Sequence, residues 1–346
     1  MPAVQCMPDG CVPCLTDLLE TPVFSDSVLL YHAKGVILLS DYILRSSVVD
    51  RKVSTEPFCR AFAASTRDLV EEARVRHNTS PVVTAALGRL LTAAAMMGVT
   101  LKRDDERLVL KIEGDGLVKT LLAESNNRAE VRGYPGEPCV MIGANDKGKL
   151  DVAGAVRGYC TADGTMGGGI LRVTRKGSAG EPFTGTSELV SGEIAEDLTY
   201  YYAASEQTPS AVSLGVLMNR NNTVRQAGGF ILQLLPDTPE EIIVKLEARL
   251  SALPSVTTLL DRGLDAEGVL REALSGFDVT VTDKIPARFH CGWTRESVER
   301  VLLSLGYKEL MSIADKPVEV HCDYCGSDYE YTREEVEALL KQLPQA

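Results

Sequence analysis

Three cysteines near the C-terminus constrain this chain more than any other feature. Cys322 and Cys325 stand two residues apart in "EVHCDYCGSDYEY" (319–331), and Cys291 lies upstream in "ARFHCGWTRE" (287–296). A CxxC on a tight turn directs two thiolates into one tetrahedral zinc site, and a distant cysteine supplies a third. Structural zinc takes four closed ligands. Two residues after Cys291, where another cysteine would complete the set, stands Trp293. His290 and His321 each neighbour a cysteine, but adjacent strand residues point apart, so neither readily joins its neighbour on one metal. Water, Asp323, or a thiol from Cys11 or Cys14 are candidates for the fourth position. A metal-free module with reactive thiols is the alternative.

The surrounding sequence reads as a small module over 287–346. Thr294 is placed to cap a helix with Val298, Leu302 and Leu305 inside, closed by Gly306. The CxxC segment reads as a hairpin. Thr332 and Glu335 form a capping box that opens a last helix carrying Val336, Leu339 and Leu340. A segment of about sixty residues builds too little core to be stable without a staple, for which a metal or disulfide is the usual solution.

The whole chain has 346 residues, enough for about two domains. Its net charge of −12 and pI of about 5.0 disfavour nucleic acid and anionic membranes as partners, because Lys and Arg are scattered rather than gathered in a patch. No apolar run is read as reaching the roughly 18 residues a spanning helix needs. The nine cysteines are odd in number and widely spread, which argues for a reducing compartment rather than a disulfide scaffold. The N-terminus lacks the basic start of a secretory signal, and residues 1–30 contain no Lys or Arg. A cytoplasmic location is expected, with organelle targeting by the N-terminal extension as the alternative.

Residues 1–40, with Cys6, Cys11 and Cys14, read as a poorly ordered extension. Residues 41–236 read as an α+β body. "STRDLVEEARVRHNTS" predicts a helix with Leu69, Val70 and Ala73 on one face and His77 as a C-terminal cation. Ser80 and Pro81 open an Ala-rich helix that stops at Gly98. "RLVLKIEGDG", "EVRGY", "GILRVTRK" and "GTSELVSG" read as strands, "EIAEDLTYYYAASEQ" as a helix, and "AVSLGVLMNRNNTVRQAGGFILQLLP" as two strands around an Asn-Asn turn. Residues 237–286 read as a helical linker. It is opened by a capping box of Thr238 and Glu241, then carries Ile242, Leu246 and Leu250, and then Val269, Leu270 and Leu274 behind an Asp265 cap. With Phe277 its only aromatic residue, this segment is expected to unfold most easily.

Enzymatic signals are weak. "GTMGGGILRV" and "GDG" match no phosphate-loop pattern and are read as turns and close backbone approaches. Only four histidines are present, and no paired-carboxylate or HExxH motif offers catalysis. No catalytic residue is assigned, and the chain is expected not to be an enzyme.

From Asp41 to the C-terminal helix the chain resembles the redox-regulated heat-shock protein 33 chaperones. The resemblance rests on "LVEEARVRHNTSP", "ALGRLLTAAAMMG", "LKIEGDG", "VSGEIAEDLTYYYAASEQTPSAV", "AGGFILQLLP", "RFHCGWTRE" and "HCDYCGSDY". It implies an ATP-independent holdase with an α+β client-binding core, a metastable helical linker and a C-terminal zinc redox switch. It implies further that oxidation forms disulfides and releases zinc, that linker and switch then unfold, and that the protein dimerises and captures unfolding clients. Carried over residue by residue, the ligands are Cys291, Cys322 and Cys325, and Trp293 stands where the family has another cysteine. The resemblance therefore implies one redox disulfide, Cys322–Cys325, and one weakened zinc ion. Two other classes compete: a zinc-ribbon-like protein- or nucleic-acid-binding module, and a CxxC thiol oxidoreductase.

Overall fold

A computed structural model describes residues 41–53, 55–159, 167–177 and 181–343. The N-terminal extension with Cys6, Cys11 and Cys14 lies outside these residues, as does Cys160. The body begins with β1 (Tyr42–Val49), β2 (Cys59–Ser65), α1 (Arg67–His77) and α2 (Pro81–Gly98). It continues through β3 (Arg107–Gly114), β4 (Thr120–Ser125), β5 (Glu130–Pro135), α3 (Val152–Val156), β6 (Gly169–Lys176), β7 (Phe183–Glu188), α4 (Ala195–Ala204), β8 (Ser210–Met218) and β9 (Val224–Leu234). Then come α5 (Glu240–Ser251), α6 (Val256–Asp261), α7 (Ala266–Ala273) and β10 (Asp278–Pro286). The C-terminal module holds β11 (Arg288–Phe289), α8 (Arg295–Ser304), α9 (Tyr307–Ile313), β12 (Val318–Cys322), β13 (Ser327–Tyr331) and α10 (Arg333–Leu340). The mixed α and β expectation is met.

Two sheets form the body, one in the order β10-β1-β2-β9-β8 and the other in the order β11-β5-β4-β3-β6-β7. Helix α2 lies between them. It is apolar all round, as a helix must be when no face meets water; Leu87, Leu90, Leu91, Ala94 and Met96 are all buried. By length and composition α2 could cross a membrane, with a mean hydropathy of 1.4 over 18 residues, but 89% of it is buried inside the body. This corrects the reading that no apolar run reaches spanning length, because Arg89 and two threonines do not break the pattern.

The central strands β1, β2 and β9 of the five-stranded sheet bury both of their faces. Side chains alternate across a strand, and here they alternate between two cores. Ile43, Phe62, Ala64 and Ile231 face the core around α1 and α2. Tyr42, Leu44, Ala61, Ala63, Phe230 and Leu232 face a second core, whose other half is Ile242 and Leu246 of α5, Val256, Leu259 and Leu260 of α6, and Val269, Leu270 and Ala273 of α7. The second core exists only while α5–α7 stay docked. Each large aliphatic side chain it buries is worth roughly 1.5–3 kcal/mol relative to exposure. Polar ties pin the same helices: Tyr42 donates to Asp265 at 2.7 Å, and Lys245 reaches the buried Asp50 at 2.5 Å.

Several local expectations are corrected. Segment 237–286 is helical only through Ala273; its end is the strand β10, antiparallel to β1 from Val49↔Asp278 to Tyr42↔Pro286. Thr238 forms no capping box, because α5 starts one residue later with Pro239 at its N-cap, and the Thr238 hydroxyl lies against the carbonyls of Phe58 and Leu235. The Ser80 hydroxyl donates to Val140 instead of capping α2. Leu305 is 46% exposed, because it caps α8 and leaves the stripe. Asp265 does cap α7, and the box of Thr332 and Glu335 does open α10. The glycines of "GDG" serve close packing: a Cβ on Gly114 would sit 2.1 Å from the Val156 carbonyl oxygen.

Candidate metal and redox centre

Two elements deliver the thiols to one point. Strand β11 adds to the edge of the six-stranded sheet, parallel to β5, and the His290 amide donates to the Val131 carbonyl at 2.8 Å. Cys291 follows at the strand end. The β12–β13 hairpin supplies the other pair: Cys322 is the last residue of β12, and its carbonyl accepts from the amides of Cys325 and Gly326. Gly326 turns the chain with φ of +64°, and a Cβ there would meet the Arg76 carbonyl oxygen at 2.8 Å. The turn thus rests on the end of α1.

The three Sγ atoms lie within 4.8 Å of one another, with Cys291 and Cys322 at 3.7 Å. Tetrahedral thiolates at a Zn–S distance of about 2.3 Å stand ~3.8 Å apart, so the group fits three corners of such a site and could bind a metal. Among the described residues no histidine or carboxylate joins it. His321 is instead paired with Asp328 at 2.6 Å. Cys322 and Cys325 are buried and Cys291 is half-buried. Burial, ahead of the hydrogen bond with Cys325 and the charge of Cys291, pushes the Cys322 thiol up to about 12. Cys325 moves the other way. Burial alone would raise it, but hydrogen bonds with Ser327, Cys322 and Cys291 hold it below the ordinary thiol range.

Trp293 is half-buried and packs against the module's own core of Val298, Leu302, Leu310, Tyr331 and Val336. Its carbonyl accepts from the Tyr329 hydroxyl at 3.1 Å. As the only tryptophan, it reports on this module alone. Opening the module is expected to move the indole into water and shift its emission to the red, reversibly with dithiothreitol. A water-like emission in the reduced protein would mean the module is open from the start.

Other residues around the centre escaped the sequence reading. Arg132 and Tyr134 share one face of β5 and meet Tyr324 inside the CxxC turn. The signal was present as an i, i+2 pair in "EVRGY", but nothing local says what that face meets. His77 does lie in the last turn of α1, but burial, above all, pulls it below the usual histidine range, and Nε2 has no partner among the described residues. Arg74 and Arg76 supply the positive charge there.

Comparison with known proteins agrees with this architecture. The family model described as Hsp33 protein matches residues 48–332. A 33 kDa chaperonin of Lachnoclostridium phytofermentans is 46% identical over 304 residues, covering 87% of this chain and 99% of the relative. The 33 kDa chaperonin of Bacillus subtilis is 42% identical over 304 residues, covering 87% and 99%. The crystal structure of the 33 kDa chaperonin from Thermotoga maritima superposes with a TM-score of 0.75 at 36% identity, covering 87% of this chain and 98% of that one. With both sheets, the two-sided core and the C-terminal cysteine module in place, the chain belongs to the Hsp33 family.

Proposed function

We propose that this chain is an ATP-independent holdase, an Hsp33-type chaperone that binds unfolding proteins and is governed by its thiol centre. The observation that carries the reading is the second core. Half of it belongs to the five-stranded sheet and half to α5–α7, so undocking α5–α7 bares Tyr42, Leu44, Phe230 and Leu232, whereas β10 stays paired with β1 and keeps Ile285 on the core around α2. An apolar sheet face of that kind suits exposed segments of unfolding clients. In this reading 41–236 is the client-binding body, 237–286 the releasable cover and 287–346 the switch.

Zinc would be held by Cys291, Cys322 and Cys325 and would supply a cross-link between the β11 end and the hairpin. The residues' own part is to bring three thiols together, two of them buried, on the edge of the body. Oxidation is proposed to join Cys322 and Cys325; Cys291, whose Sγ lies 3.7 Å from that of Cys322, has Trp293 where a second cysteine two residues on would stand. The oxidised protein is proposed to be a homodimer acting in the cytoplasm, with neither nucleic acid nor membrane as a partner.

A three-thiol centre braces the module less than four would. Appreciable client protection is therefore expected even in the reduced protein, rising severalfold on oxidation. Light scattering of a thermally unfolding client, with reduced and peroxide-treated protein compared, measures both. Protection by neither form would remove the holdase reading. Protection by the oxidised form alone would show a tighter switch than three thiols explain.

A further inference from the structure

Tyr324, between the two cysteines of the hairpin, is turned onto the body. The Arg132 guanidinium lies over its ring, 4.2 Å from the centroid. Tyr134 meets the same ring edge-on, with 5.5 Å between centroids. Arg132 Nη2 donates to Glu124 Oε1 at 2.7 Å, and Lys176 reaches the other carboxylate oxygen at 3.3 Å. Arg132 Nη1 points to the thiol centre, 3.9 Å from Cys291 Sγ. One guanidinium thus touches the CxxC turn, the third thiol and a carboxylate of the six-stranded sheet.

These contacts are not equally free to change. Glu124 is only 5% exposed, and a buried carboxylate is costly without its partner. Arg132 is accordingly fixed by the body. The parts able to move are Tyr324 and Cys291, which belong to the module. Planarity matters here as well as charge. An arginine can stack on an aromatic ring and bind a carboxylate in its plane at once, whereas a lysine offers a point charge.

We propose that Arg132 is a positioning residue that clamps the C-terminal module directly to the body through Tyr324 and Cys291, a route that does not pass through 237–286. The proposal rests on reading the thiol centre as the switch. With a hydroperoxide as oxidant, one hairpin thiolate attacks a peroxide oxygen, becoming a sulfenic acid as the O–O bond breaks and hydroxide or alkoxide leaves. The second hairpin sulfur then attacks that sulfenic sulfur, expelling hydroxide and forming the Cys322–Cys325 bond. The two thiols lose two electrons and two protons, and hydrogen peroxide ends as two waters. Because Tyr324 lies between the two joined cysteines and stacks on Arg132, closing the bond acts on the turn that the clamp holds. Oxidation is thereby coupled to release from the sheet.

The test uses the full reduced chain and reads two signals: the rate at which Cys291, Cys322 and Cys325 are alkylated, followed residue by residue by mass spectrometry, and Trp293 emission. Arg132→Ala and Tyr324→Ala are expected to speed alkylation about tenfold and shift emission to the red. Tyr324→Phe keeps the ring and should stay within about twofold of the parent. Arg132→Lys keeps the charge without the plane and should fall between. The paired variant Glu124→Gln/Arg132→Met removes the buried charge with its partner, so it tests the clamp should Arg132→Ala not fold, and it should alkylate like Tyr324→Ala. Parent-like alkylation and emission in Arg132→Ala, or in the paired variant, would overturn the clamp. So would a Tyr324→Phe rate equal to that of Tyr324→Ala. Client protection is measured separately: its absence alongside the alkylation contrast removes the holdase reading and leaves the clamp standing.

Discussion

Leu270→Asp is expected to give a chain that protects clients fully in the reduced state. Leu270 is completely buried in the core that α5–α7 share with the five-stranded sheet. An aspartate there must be desolvated without a partner or must force the helices away, at a cost on the order of 4 kcal/mol. Undocking is the cheaper outcome, since the core around α2 does not include Leu270. Because a change of ~5.5 kcal/mol carries a two-state equilibrium from 1:99 to 99:1, a single substitution of this size shifts most of the population. Limited proteolysis within 237–286 should quicken at least tenfold while the body stays resistant. Val244→Asp is the control, because Val244 lies in the same segment but is 56% exposed; it should leave both readouts unchanged. An opened segment in Leu270→Asp with no reduced-state protection would show that the uncovered sheet face is not the client surface.

The parts of this architecture that sequence made legible are those fixed by local chemistry. The ends of α1 and α2, the β8–β9 hairpin, the CxxC turn and the Thr332–Glu335 box all follow from residues within a few positions of each other. What stayed hidden depends on distant partners. Strand β1 is buried on both faces, so it shows no clean alternation to read. Strand β10 does alternate weakly, with Val279 and Val281 half-buried, but its partner lies more than two hundred residues away. Two caps failed because distant backbone engages the hydroxyls: Ser80 both donates to and accepts from Val140, and Thr238, one residue ahead of the α5 N-cap, donates to the Phe58 carbonyl. The thiol centre divides the same way. Its three cysteines were readable from spacing, whereas the ring of Arg132, Tyr134 and Glu124 is assembled by sheet pairing.

Trp293→Cys is expected to raise zinc affinity about a hundredfold. Apparent binding energies of roughly 10–16 kcal/mol for four-ligand structural sites put one thiolate at about 3 kcal/mol, or two orders of magnitude. The present chain brings three thiols to a fitting spacing and gives the fourth corner no described donor. The exchange has a cost in the metal-free protein: the half-buried indole no longer packs against Val298 and Leu302, a loss of about 1–2 kcal/mol. The variant's module should therefore be less stable than the parent's without zinc and more stable with it. Both signs are measurable. Competition with a chromophoric chelator gives the affinity, and thermal unfolding with and without zinc should show a larger metal-dependent shift than in the parent. The tighter cross-link should also hold 237–286 in place and lower reduced-state client protection. An unchanged affinity would mean that the fourth corner is already filled in the parent chain, by a donor outside the described residues, and that Trp293 costs the centre nothing.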